Sequence, residues 1–207
     1  MRCIVLVLAV VVATWAQFGP TGQTFILNAH YNLRKALTRG SFLAGVTPKP
    51  MASNMRLMRW NFTLSDSAQK YAEKCPTNHS NTPGLGENLY WAWTSAAVGD
   101  LNIYGDNATS AWVKEFQDIG WTTNAFTQEL FDTGIGHATQ MAWADTNFIG
   151  CGVKNCGPDS TKANMNKVVV VCQYYSPGNI LGQDVYKIGT ACANCPTGTI
   201  CYAGLCG

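Results

Sequence analysis

Charge is scarce in this chain. Only 13% of its 207 residues are charged and the formal net charge is +2, too little and too dispersed for a nucleic-acid footprint. Internal repeats and low-complexity tracts are missing too. Apolar residues make up 47% of the chain, so a sizeable core is feasible and a disordered ensemble is not expected. After residue 16 no apolar run reaches the ~20 residues of a bilayer-spanning helix. The motifs of common hydrolases do not occur: there is no Gly-x-Ser-x-Gly and no His-Glu-x-x-His. Histidine is rare, with three in the whole chain.

The first sixteen residues predict a secretory signal. Arg2 supplies the positive start, Ile4 to Ala13 is an unbroken apolar run, and Thr14-Trp15-Ala16 offers small residues for cleavage before Gln17. Cleavage would take Cys3 away and leave eight of nine cysteines, an even set that reads as disulfides in an oxidising compartment. Counting alone leaves roughly a hundred pairings open. Three sequons fit the same compartment, at Asn61, Asn78 and Asn107; Asn61 and Asn107, at expected helix entrances, read as the better acceptors, and Asn78 as one only if its side chain points away from the cleft.

Periodicity predicts a first helix over about 24–38, with Ile26, Ala29, Leu33 and Leu37 on one face and Gly40 ending it. A second covers about 64–74, with Thr63 as its N-cap. A third covers about 109–118, and a short one runs over 137–142. Strands are expected at 148–154 and 167–175, the latter with four consecutive valines from Val168, as in a buried central strand. Helices ahead of one layer of strands predict an α+β sandwich. The tail holds Cys192, Cys195, Cys201 and Cys206 among few apolar residues, so cross-links are expected to hold it. Its Cys-x-x-Cys could suggest zinc, but the compartment favours disulfides.

Glu115 breaks the pattern. It lies on the stripe of the third helix, between Trp112, Phe116 and Ile119, where a carboxylate needs a partner or a cation. Two of the three histidines lie in polar, glycine-flanked segments that suit a shared cleft with it. Five segments then read together, in order: Cys75-Pro76-Thr77-Asn78-His79-Ser80, Gly86-Glu87-Asn88-Leu89-Tyr90, Trp112-Val113-Lys114-Glu115, Gly134 to Trp143 around His137, and Val171 to Asn179. Over about residues 24–182 the chain resembles the CAP superfamily of cysteine-rich secretory, antigen 5 and pathogenesis-related 1 proteins. Within it, the chain is most similar to the venom-allergen-like or activation-associated secreted proteins of parasitic nematodes.

The resemblance implies a three-layer α-β-α sandwich over 17–182, followed by a cysteine-rich, hinge-like tail over 183–207. It implies disulfides Cys75 with Cys156, Cys151 with Cys172, Cys192 with Cys201 and Cys195 with Cys206. It carries a cleft tetrad onto His79, Glu87, Glu115 and His137. Such a set could hold a divalent cation such as zinc, with the glutamates binding directly or orienting the rings. The plainer reading of the tetrad is a hydrogen-bonded structural cluster. His30 reads as structural.

The expected role is a secreted, non-catalytic binding protein that carries a sterol or fatty acid or acts on a host extracellular protein. The alternative is a cation-dependent, peptidase-like hydrolase using the tetrad, which lacks a nucleophile. Lipid-groove candidates are Leu33, Leu37, Trp112 and Phe116, together with Trp121, Phe126 and Phe131 on a loop whose five-residue spacing is not helical. Core packing is the bland reading of each aromatic. Two departures stand out. Ala138 replaces the usual aromatic after His137 and is expected to widen the cleft, and Ser176 replaces a proline. A further six-cysteine module does not follow the tail, which weighs against channel blocking. No feature sets an oligomeric state.

Overall fold

In the computed structural model the described residues are 17–207, so the leader and Cys3 lie outside them. The elements run α1 (Pro20–Thr38), β1 (Leu43–Ala44), β2 (Thr47–Pro48), β3 (Arg59–Trp60), α2 (Phe62–Ala72), β4 (Gly86–Thr94), α3 (Ile103–Asp118), α4 (Gln128–Asp132), α5 (Gly136–Ala142), β5 (Phe148–Asp159), β6 (Met165–Tyr175), β7 (Cys201–Tyr202) and β8 (Leu205–Cys206). β3, β5, β6 and β4 form one sheet in that order, with β3 parallel to β5 and the other pairs antiparallel.

The valine run explains the layers. Val168 and Val170 join the large core with α1, α3 and α5, whereas Val169 and Val171 join a smaller core with Ala68 and Ala72 of α2. Side chains alternate across a strand, so β6 must be covered on both faces. The result is the expected three-layer α-β-α sandwich. α2 lies so close to β5 that a Cβ at Gly150 or Gly152 would overlap the helix backbone. Ser65 and Gln69 of α2 then reach the carbonyls of Cys151 and Val153.

Several boundaries differ from the sequence reading. α1 begins at Pro20, which suits a first helical position because its missing N–H has no intrahelical partner. Its free amides at Gly19 and Gly22 donate to the side chain of Asn102. α2 is capped by Asn61, not Thr63: the Asn61 side chain accepts from Leu64 N at 3.0 Å. α3 starts six residues early, at Ile103, because Gly105 lets it pack against Ile26 and Phe18. Ile119 is exposed, so the buried stripe of α3 stops at Phe116. The segment 86–94, which holds the Gly86-Glu87-Asn88 motif and has no element assigned from sequence, is the strand β4.

The four disulfides are those the resemblance implies: Cys75–Cys156, Cys151–Cys172, Cys192–Cys201 and Cys195–Cys206. The tail is more than a cross-linked appendage, however. Val185, Tyr186 and Leu205 are buried in the large core, and Leu57 N donates to Cys206 O while Cys206 N donates to Met55 O.

A chain of polar groups crosses the core. The Asn88 amide donates to the Tyr174 hydroxyl (3.2 Å), which can only pass its own proton on to His30 Nε2 (3.1 Å), because His30 Nδ1 donates to Ile26 O (2.7 Å). Every polar atom of the His30 ring is thus used, which bears out its structural role. Burial, opposed by the Ile26 carbonyl and aided by Arg34, pushes the ring pKa down to about 3. The unfolded chain therefore takes up a proton below its ordinary value while the folded chain does not. Stability present at neutral pH should fall with acidification, by up to about 1.4 kcal/mol per pH unit between roughly pH 6 and pH 3. Urea unfolding at pH 7 and pH 5 checks this, and His30→Gln should flatten the profile.

Candidate functional site

Two histidine–glutamate pairs face one cleft. α5 starts at Gly136 and presents His137, whose Nδ1 donates to Glu115 Oε1 at 2.6 Å. The second Glu115 oxygen accepts from Ala138 N at 3.0 Å, so the carboxylate closes the amide end of α5. The His137 ring also stacks on Trp112, with centroids 5.9 Å apart and planes at 13°. Trp112 is thereby the floor under His137. Spacing on α3 produces this arrangement, because residues three apart share a face. Glu115 is not in the deep core as its stripe suggested: its side chain keeps 17% exposure, at the boundary between core and cleft.

The second pair comes from the loop after α2 and from β4. His79 Nδ1 donates to Glu87 Oε1 at 3.0 Å. Ser80 holds the same carboxylate with its amide (2.8 Å) and its hydroxyl (2.6 Å), and Gln173 Nε2 adds a fourth donor at 3.1 Å. Burial would raise the Glu87 pKa, but the His79, Ser80 and Gln173 donors outweigh it and hold the carboxyl below its usual range. Glu87 is only 7% exposed, while the His79 ring is 52% exposed and the His137 ring 34%. Gln173 escaped the sequence reading. Its signal was a polar residue inside an apolar strand.

Both rings therefore spend Nδ1 on a carboxylate. Neither Nε2 has a hydrogen-bond partner among the described residues. The space between the pairs is a cleft of about 190 Å³ lined by His79, Glu87, Asn88, Phe131, Gly134, Gly136, His137 and Asn179. A metal-ligating histidine characteristically donates its other nitrogen to a carboxylate in this way, which fixes the tautomer and the ring orientation. The two Nε2 atoms are thus the ligand atoms left open to a cation, with the glutamates behind the rings, although the four side chains do not form a compact ligand group among the described residues. Among the described residues the compact group of metal-type side chains is Cys192, Cys195 and Cys206, all tied in disulfides. The tail is not a zinc site.

Ser80 is not poised as a nucleophile. Its hydroxyl is directed to Glu87 and Thr82, not to an imidazole. Ala138 does not widen the cleft either: its side chain is fully buried in the core, and its contribution is the backbone N–H to Glu115.

The expected lipid-groove residues separate. A groove of about 570 Å³ runs between α1 and α3, lined by Ala29, Asn32, Leu33, Ala36, Phe42, Thr109, Ser110, Val113, Lys114 and Gln117. Leu33 is in its wall. Leu37, Trp112 and Phe116 lie in the core beneath it, because each points inward from its helix. Trp121 and Phe126 are likewise core residues: Trp121 stacks on Phe116 at 4.4 Å, with the Lys49 amine on its ring, and Phe126 meets Trp143. Phe131 is 48% exposed, but on the wall of the histidine cleft.

The model of the cysteine-rich secretory protein (CAP) family matches residues 27–174. Over 187 residues the chain is 34% identical to peptidase inhibitor 16 of Mus musculus, covering 90% of this chain and 35% of that protein. Over 192 residues it is 35% identical to Ancylostoma secreted protein of Ancylostoma caninum, covering 87% and 42%. It thus spans between a third and a half of the length of these relatives. The crystal structure of NaASP2 with Zn2+ is 31% identical, with a TM-score of 0.77 over 92% of this chain and 97% of that one.

Proposed function

The chain belongs to the cysteine-rich secretory protein (CAP) family, and from that premise we propose an extracellular, non-catalytic binding protein that carries an acyl chain in the groove between α1 and α3. The groove carries the reading. At about 570 Å³ it falls within the size range of small-molecule sites, with an apolar wall flanked by Asn32, Thr109, Ser110, Lys114 and Gln117. Leu33, Ala36, Phe42 and Val113 supply the apolar wall. Lys114 stands on the same wall, paired with Asp118, and could exchange that partner for a ligand carboxylate. A fatty acid therefore suits the groove better than an uncharged sterol. Four disulfides support an extracellular setting.

Titration with saturated fatty acids tests this. Each buried methylene is worth about 0.8 kcal/mol, so shortening the chain by two carbons should weaken binding about 15-fold. Val113→Asp should abolish binding, and a chelator should leave it unchanged. Affinity independent of chain length would reject the groove.

A second reading, occupancy of the histidine cleft by a divalent cation, is favoured by the two unpartnered Nε2 atoms. NaASP2 crystallised with Zn2+ supports it by likeness. A cation there would offer Lewis acidity. The residues themselves orient two rings and hold two carboxylates behind them, and no side chain at the cleft is set up as a nucleophile. The name of the relative peptidase inhibitor 16 also leans against a peptidase.

A further inference from the structure

The tripeptide Asn78-His79-Ser80 has two roles that meet. As sequence it is an acceptor for N-linked sugar. As structure it is a wall of the cleft, since His79 sits at the mouth and Ser80 binds Glu87. Asn78 is exposed in a bend, and its amide nitrogen meets only the adjacent Thr77 hydroxyl, at 3.4 Å. The other sequons are set differently. Asn61 caps α2 with its side chain, and Asn107-Ala108-Thr109 lies wholly inside α3 with the Thr109 hydroxyl bound to Gly105 O. The hydrogen bonds of the segment to Tyr71 and Glu87 are local, but the groups that anchor it to the rest of the fold come late in the chain. Cys75 waits for Cys156, 81 residues on, and Glu87 for Gln173, 86 residues on. The tripeptide therefore enters the secretory compartment before its anchors at Cys156 and Gln173 exist, and its asparagine still faces solvent once the fold has closed.

We infer that Asn78 carries an N-linked glycan, and that this glycan, rooted one residue from His79, stands at the cleft mouth and restricts it to ions and small molecules. In the transfer, Asn78 Nδ2 forms a bond to the anomeric carbon of a lipid-diphosphate-linked oligosaccharide. The bond from that carbon to the diphosphate oxygen breaks, the lipid diphosphate leaves, and an amide proton passes to a base. The glycan stands independently of the cation reading, whereas what it screens rests on that reading. A hydrated sugar chain beside His79 excludes a macromolecular surface by volume and lets a hydrated ion pass.

The test uses protein secreted from a eukaryotic cell line. Enzymatic glycan release in 18O water, followed by peptide mapping, should label Asn78; an unlabelled Asn78 overturns the inference. Screening is then read on an immobilised Zn2+ resin with native, enzymatically deglycosylated and Asn78→Gln protein. His30 is fully buried, so retention can come only from His79 and His137. The native form should pass through and the other two should be retained, with retention lost again on adding His79→Ala. Ser80→Ala is unsuitable because it removes a Glu87 donor as well as the sequon. If the sugar-free forms also pass through, or all three are retained alike, the glycan does not close the mouth. Titration of free Zn2+ into the same preparations separates that result from failure of the cation reading, which would show as no binding in any form.

Discussion

Arg34→Ala should cost at least about 3 kcal/mol, the largest single-residue loss of stability expected outside the disulfides. Arg34 is fully buried and pairs with no carboxylate among the described residues; its donors go to three carbonyls: Met141 O at 3.0 Å, Arg56 O at 2.7 Å and Trp143 O at 2.5 Å. Each acceptor left dry costs roughly 1–3 kcal/mol, and the vacated volume adds to this. Burial lowers the guanidinium pKa to about 9, so it remains a cation at neutral pH, placed where the carbonyl end of α5 favours one. Thermal unfolding should shift down by roughly 6–12 °C, on a scale of about 2–4 °C per kcal/mol for domains of this size. Arg34→Lys should recover only part of the loss, because a single ammonium cannot span the three acceptors as the planar fork does. A shift within 2 °C, about 1 kcal/mol or less, would show that water replaces the guanidinium freely.

Removing His137 should reduce Zn2+ affinity to background, and Glu115→Gln should weaken it about 10–100-fold while leaving the fold intact. The two effects differ because the ring would touch the ion and the carboxylate would only set the ring. Glutamine has one accepting oxygen where glutamate has two, so it keeps only one of the bonds from His137 Nδ1 and Ala138 N, and it lacks the charge that raises ring basicity. Calorimetric titration of wild type, His137→Ala, His79→Ala and Glu115→Gln reads the series directly. Equal affinities in all four would mean that the pairs are purely structural and that any zinc binds elsewhere.

Much of this site could be read from the chain because its chemistry departs from its surroundings. A carboxylate on the Trp112–Phe116 stripe demanded a partner, and with three histidines in the chain few were on offer. The missing half lay in contacts that only the fold creates. Gln173 reaches Glu87 because β6 pairs with β4 in a register that no local pattern encodes, and Trp112 lies under His137 because α5 crosses α3. Aromatics misled for the same reason. Phe116, Trp121 and Phe126 are equally apolar as groove wall or as core, and the stacking of Trp121 on Phe116, together with the Tyr186 edge, decides for the core. Element ends were lost where a distant residue does the capping. Asn102 holds the start of α1 across 80 or more positions, and Gly105, which reads as a helix breaker, is the contact point between α3 and α1.

Cys151 and Cys172 stand directly opposite one another on β5 and β6. With valines facing both cores, displacing β6 by one position would exchange one apolar residue for another, so hydrophobicity alone discriminates poorly between alignments. The sulfur bridge supplies the missing indexing mark. It joins β6 to β5 only; Gln173, the next residue, meets Glu87 through the separate pairing of β6 with β4. A reduced chain keeps the apolar faces of both strands but loses the covalent stop against slippage of β5 along β6.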